Sequence, residues 1–171
     1  MADCAQGRAA EKDAWLKNLD EKIEKLHGRQ HFCCSQTVLA IGMERLGLED
    51  ADLLRAMEGF CGGSCSGVCG ALAGGCALLG LYFGKGTADE PRSSVIHDCA
   101  DELCETFRAY WKSDRCEDLV HGSSELRAKT CPALMEGTLE MVWSILRERR
   151  VDPDSRKAPA ENKIPFRRND P

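Results

Sequence analysis

The segment from Gly59 to Gly80 constrains this chain more than any other. It reads Gly-Phe-Cys-Gly-Gly-Ser-Cys-Ser-Gly-Val-Cys-Gly-Ala-Leu-Ala-Gly-Gly-Cys-Ala-Leu-Leu-Gly, with cysteines at Cys61, Cys65, Cys69 and Cys76. Glycine lets a backbone approach its neighbours or an inorganic group closely. Thiols at this density suit soft-metal binding or thiol redox chemistry better than ordinary packing. The opposing explanation is a buried helix in which cysteine serves as a small hydrophobe. That accounts well for any single cysteine and poorly for the whole cluster.

The chain has 171 residues, enough for one domain with its own core. We expect a single helical, cysteine-rich domain over residues 1–150 and a flexible charged tail over 151–171. Aromatic residues are few, and Ala, Leu and Gly carry much of the apolar content, which favours close helix packing over a sheet. The formal net charge of −5 argues against a nucleic-acid partner. Residues Met1 to Lys25 are charged and hold no apolar signal core. The longest apolar run, Val68 to Phe83, is interrupted by glycines and falls short of the roughly 20 residues that span a bilayer. These features predict no membrane insertion and a cytoplasmic location. In that reducing compartment eleven cysteines point to metal binding or catalysis rather than to a disulfide framework.

Apolar periodicity is helical nearly throughout. A first helix is expected from about Ala9 to Leu26, with Trp15, Leu19, Ile23 and Leu26 on one stripe and Gly28 at its end. The second runs from Cys33 or Cys34 to about Leu46. Asp50 caps a short helix through Met57. The Gly/Cys segment is a loop that enters a central helix near Val68 and leaves it at Gly84. Ser93 or Ser94 begins a helix to Trp111, with Ile96, Leu103, Phe107 and Tyr110 facing inward. Cys116 to Val120 makes a short turn of helix. Pro132 fits the first turn of a final helix ending near Arg149, with Leu134, Leu139, Val142, Ile145 and Leu146 in the core. The expected fold is therefore all-α, a compact bundle of about five to six helices.

Cys61, Cys65 and Cys69 recur every fourth residue, and Cys69 and Cys76 are two helical turns apart. No Cys-x-x-Cys pair occurs, which weighs against a thioredoxin-like site and a zinc ribbon. Nor is there a ferredoxin-type ligand run. Four metal ligands would have to come from separated segments.

Several motifs in order resemble a known family. Cys34-Ser35-Gln36-Thr37-Val38-Leu39 is similar to its opening Cys-Ala-Gln-x-Val-Leu. Cys69-Gly70-Ala71-Leu72-Ala73-Gly74 precedes Leu79-Gly80-Leu81-Tyr82-Phe83-Gly84, Cys116-Glu117-Asp118-Leu119 follows, and Cys131 comes last. Over about Cys33 to Leu146 the chain resembles the redox-active proteins named for a C…GCAxxG…C…C pattern. A similar region occurs in a cytochrome with a split Soret band, where the resemblance implies an iron–sulfur domain. Carried over residue by residue, it implies a cofactor-binding and metal-binding set of Cys34, Cys69, Cys116 and Cys131. Gly75-Cys76-Ala77-Leu78-Leu79-Gly80 also spells the central pattern; Cys69 is preferred because the downstream Gly-Leu-Tyr-Phe-Gly then falls at the expected distance. Cys33, Cys61 and Cys65 are additions to the pattern, and Cys61, Cys65 and Cys76 stand as secondary ligand candidates.

The expected cofactor is an iron–sulfur cluster, with zinc as the alternative. Cys34, Cys69 and Cys131 are expected near helix N-termini, where the dipole and free N–H groups favour thiolates. The implied role is electron transfer or redox sensing with a redox partner protein. A second hypothesis is a thiol–disulfide protein using Cys69 with Cys34 or Cys131 as resolving partner. An Ala-, Gly- and Leu-rich helix pair also allows a homodimer. His31 is a ligand candidate beside Cys33 and Cys34, and His121 a weaker one; His27 reads as surface, and Cys99 and Cys104 as packing residues. Cys4 reads as incidental. No phosphate loop or hydrolase triad is present, and whether the protein is an enzyme stays open.

Overall fold

In the computed structural model, residues 18–155 are described. Trp15 and Cys4, and the first half of the expected first helix, lie outside them. Seven α-helices form among the described residues, which contain no strand: α1 Leu19–Ile23, α2 Cys34–Arg45, α3 Ala51–Met57, α4 Gly70–Phe83, α5 Val95–Trp111, α6 Cys116–Val120 and α7 Ser124–Glu148. The protein is all-α, as its periodicity predicts.

Two joints depart from the sequence expectation. Gly28 does not stop the first helix; the chain continues through a π-helical turn over Glu24–Arg29. The last helix begins at Ser124, well before Pro132. The Ser123 hydroxyl accepts the Leu126 N–H at 3.3 Å and caps an earlier start, so Pro132 lies inside α7. Its missing N–H leaves the Ala128 carbonyl without the usual i+4 donor. Other ends follow their predicted chemistry. Asp50 accepts from the N–H groups of Asp52 and Leu53 at 3.0 and 2.9 Å, and the Ser93 hydroxyl accepts from Val95 N–H at 3.2 Å.

Helix α4 is the centre of the packing. Its apolar residues Ala71, Leu72, Leu78 and Leu79 are buried, and α2, α5 and α7 surround it. Glycine makes this possible. A Cβ at Gly74 would lie 2.6 Å from the Ser35 carbonyl oxygen of α2, and one at Gly75 would lie 2.6 Å from Thr138 Cγ2 of α7 and 2.9 Å from Leu103 Cδ2 of α5. Gly74 and Gly75 of α4 are thus covered within the chain. Leu103, Phe107, Leu134, Met135, Leu139 and Leu146 complete the core. Tyr110, expected to face inward, is 69% exposed and packs its ring edgewise on Trp111.

Beyond α7 the chain turns back onto the bundle. Val151 is buried, the Tyr82 hydroxyl donates to the Pro153 carbonyl at 2.7 Å, and Arg45 pairs with Asp154 at 2.8 Å while stacking on Trp143. The segment expected to be a flexible tail is therefore docked as far as Ser155, and its remainder lies outside the described residues.

Gly74→Val should destabilise the protein by about 2 kcal/mol, since the new side chain meets backbone that cannot move aside. Gly80 has open space around its Cβ position. Gly80→Ala should instead stabilise by roughly 0.5–1 kcal/mol through reduced chain entropy. Urea unfolding of the two variants checks both signs.

Candidate functional site

The chain brings Cys34, Cys69, Cys116 and Cys131 to one cavity of about 420 Å³. Cys33, Cys61, His27, Arg127 and Gly70 line it as well. Each cysteine arrives on a different element. Cys34 is the first residue of α2, Cys69 the N-cap of α4, Cys116 the first residue of α6, and Cys131 lies within α7.

A short antiparallel bridge between Val68 and Arg115 places two of them side by side. Cys69 N–H donates to the Asp114 carbonyl at 2.7 Å, and Cys116 N–H to the Gly67 carbonyl at 2.8 Å. The loop leading in requires left-handed backbone at Gly63 and Gly67, with φ of +82° and +81°. Space also selects glycine there: a Cβ at Gly63 would lie 2.9 Å from Cys116 Cβ, and one at Gly67 would lie 2.8 Å from the Arg115 guanidinium. Gly70 serves the other pair, because a Cβ on it would overlap the Cys34 sulfur.

Cys33 and Cys61 are joined as a disulfide at the cavity wall. The vicinal cysteines therefore part: Cys33 bonds across to the Gly-rich loop and Cys34 faces the cavity. The buried Ser35 hydroxyl lies 3.2 Å from both disulfide sulfurs and donates to the Met57 carbonyl at 2.8 Å. Gln36 secures the same corner, accepting from Cys33 N–H at 3.1 Å and donating to the Leu54 carbonyl at 3.1 Å. A glutamine three residues after a helix-capping position is a sequence signal for this role.

The other candidates sit elsewhere. Cys65 is exposed and does not line the cavity. Cys76 is also outside its wall and lies beside Cys104 of α5. Cys69 and Cys76 do not form the expected helical stripe, since Cys69 has extended backbone with φ −60° and ψ 127°. Of the two possible frames for the central motif, only that of Cys69 reaches the cavity. His31 is exposed with φ +58°, and His121 is the left-handed residue ending α6; neither lines the cavity.

Two polar residues of the wall were not singled out from the sequence. His27, read as surface, lines the cavity with Nδ1 2.7 Å from the Phe32 carbonyl oxygen. That oxygen only accepts, so Nδ1 carries the proton between them. Arg127 brings a positive charge beside Cys116 and Cys131.

Electrostatics correct the expectation of activated thiols. Burial pushes Cys69 up to about 12, against the opposing backbone N–H groups of Leu72 and Ala71. Burial raises Cys131 to about 11, with Cys34 and Cys116 adding repulsion and Arg127 opposing. Cys116 is raised as well, again first by burial. Helix N-termini act at Cys69, but desolvation outweighs them. Cys131 has no such help, because it lies inside α7 rather than at its start. Among the described residues, no three His, Cys, Asp or Glu side chains converge as ligands of one ion.

A family model described as "Putative redox-active protein (C_GCAxxG_C_C)" matches residues 32–145. The chain belongs to this family. The match spans α2 through nearly all of α7, and so contains all four free cysteines of the cavity. No curated protein and no solved structure gave a significant match. No helix among the described residues is long and apolar enough to cross a membrane.

In metal-free protein, Cys69 and Cys131 should resist alkylation near neutral pH and react as pH rises toward 11, because only the thiolate attacks. At pH 8 the Cys69 thiolate fraction should be about a thousandfold below that of an ordinary thiol, since its pKa is about 12 instead of 9.0. Exposed Cys65 should label well before either. Iodoacetamide labelling read by peptide mass spectrometry checks the order.

Proposed function

We propose that this redox protein holds an iron–sulfur cluster through Cys34, Cys69, Cys116 and Cys131 and serves electron transfer or redox sensing. The observation that carries the reading is the meeting of four free cysteines, from four separate elements, around one cavity. The donor set fits: four soft thiolates favour iron–sulfur or zinc. A single zinc would need all its sulfurs about 2.3 Å from one point. The sulfurs instead surround a space of about 420 Å³ without converging on one point, which suits a polynuclear centre. The missing side chain at Gly70 keeps room beside Cys34.

The raised thiol pKa values support the same reading. Deprotonating buried, mutually repelling thiols is unfavourable without a compensating positive charge, and a multivalent metal centre provides one. Arg127 supplies a further positive charge, and the backbone N–H groups of Leu72 and Ala71 favour the Cys69 thiolate. Such donors tune a cluster's potential. When bound, a cluster of this kind takes up and releases single electrons. The chain's own part is to fix the four sulfurs, limit solvent access and neutralise charge. A redox partner protein would exchange the electrons, and a cytoplasmic location follows from the cysteine usage.

The Cys33–Cys61 disulfide favours a second reading, a thiol–disulfide centre at the same wall. Disulfides in a reducing compartment are usually catalytic or redox-sensing. Reduction adds two electrons and two protons, and the Ser35 oxygen lies close enough to accept from either new thiol.

Protein purified anaerobically should absorb broadly in the visible and contain iron and acid-labile sulfide in comparable amounts. Cys69→Ser and Cys131→Ser should lose both, whereas Cys65→Ser should keep them. Colourless protein without sulfide, from a wild-type chain that is folded by circular dichroism, would sink the cluster reading. If Cys33→Ser then also removed the protein's reducible disulfide, the thiol–disulfide reading would stand in its place.

A further inference from the structure

Helices α4 and α5 carry a second pair of cysteines outside the cavity. Gly75 lets α4 approach Leu103 of α5 closely, a Cβ there falling 2.9 Å from Leu103 Cδ2. Their sequence neighbours Cys76 and Cys104 lie beside each other at this contact, close enough for the ionisation of one thiol to depend on the other. Both are partly exposed, whereas Cys99, one and a half turns earlier on α5, is fully buried. Packing leaves these two thiols beside each other and each partly reachable by solvent.

We propose that Cys76 and Cys104 form a second redox-active dithiol, oxidised to an inter-helix disulfide by small neutral hydroperoxides. The roles of the two sulfurs differ. The interaction between the two thiols lowers Cys104 to about 7 and raises Cys76, so Cys104 is the thiolate and Cys76 the protonated thiol beside it. Arg108, one turn further along α5, supports the Cys104 anion, and Asp101 opposes it. The same Arg108 is held by Asp114 at 2.9 Å. Exposed Asp101 and Glu105 flank Cys104 on α5 and disfavour an anionic oxidant such as a glutathione disulfide.

The chemistry balances with the hydroperoxide as oxidant. The Cys104 thiolate attacks the terminal peroxide oxygen, the O–O bond breaks, and the alkoxide or hydroxide leaves and takes up a proton as alcohol or water. Cys104 is left as a sulfenic acid. The Cys76 sulfur then attacks it, forming the S–S bond, and the departing hydroxide takes the Cys76 proton as water. Two thiols and one hydroperoxide give one disulfide, one alcohol or water, and one further water. The sulfurs together lose two electrons, and the peroxide oxygens gain them.

The test treats the full-length protein, reduced anaerobically and desalted, with one equivalent of hydrogen peroxide. Remaining thiols are blocked with N-ethylmaleimide and peptides are mapped by mass spectrometry. The expected product is a Cys76–Cys104 linked peptide, reversed by dithiothreitol. Cys104→Ser should lose the linkage and leave Cys76 unoxidised. Cys76→Ser should lose the linkage but accumulate a sulfenic acid at Cys104 that dimedone traps. Both residues lie outside the cavity, so both variants should keep the wild-type iron and sulfide content whether or not a cluster is present. Wild-type protein in which Cys76 and Cys104 remain separately blocked, or in which peroxide links either one to a different cysteine, would overturn the proposal. That map is read on wild-type protein and does not depend on either variant folding.

Discussion

The contact between α2 and α4 governs the rest of this structure. Gly74 sits against the Ser35 carbonyl, and Gly70 leaves the volume that the Cys34 sulfur occupies. Any side chain at either position would push the helices apart. With both glycines, the N-terminus of α2 and the N-cap of α4 meet, and Cys34 and Cys69 share a cavity wall. The bridge from Val68 to Arg115 then adds Cys116, and α7 packs across with Cys131. A run of small residues therefore does two jobs. It allows dense helix packing and it gathers sulfur.

The gathered thiols conflict with their surroundings. Desolvation drives Cys69, Cys116 and Cys131 toward the protonated form, and they repel one another or Cys34 when ionised. Burying several ionisable groups together without a partner is unfavourable, so natural proteins place such sets where a ligand or reaction resolves the conflict. A metal centre resolves it by charge. A disulfide resolves it by removing the thiols, and Cys33 with Cys61 shows that option on the same wall. The family's redox character is consistent with either resolution.

Much of this was legible in sequence, for identifiable reasons. The all-α class followed from helical periodicity in segments such as Leu134 to Leu146, whose predicted core residues are buried. The order Cys34, Cys69, Cys116 and Cys131 could be read from motif resemblance, and these four meet at the cavity. The expected surroundings of Cys131 differed, because Pro132 reads locally as a helix start while the Ser123 cap eight residues upstream of Cys131 wins. Arg127, His27 and the Cys33–Cys61 bond depend on contacts between distant segments, which periodicity does not encode. The Cys76–Cys104 contact depends on how closely α4 and α5 approach at Gly75. Tyr110 fell on the apolar side of its helix by spacing, yet lies near the end of α5 where none of the described helices covers it.

The most direct test of the central claim is an anomalous difference map at the iron edge, from crystals grown anaerobically. The account predicts strong peaks inside the cavity, with the sulfurs of Cys34, Cys69, Cys116 and Cys131 each bonded to an iron. An iron-free cavity in crystals of freshly isolated anaerobic protein, with the four thiols unligated, would contradict it.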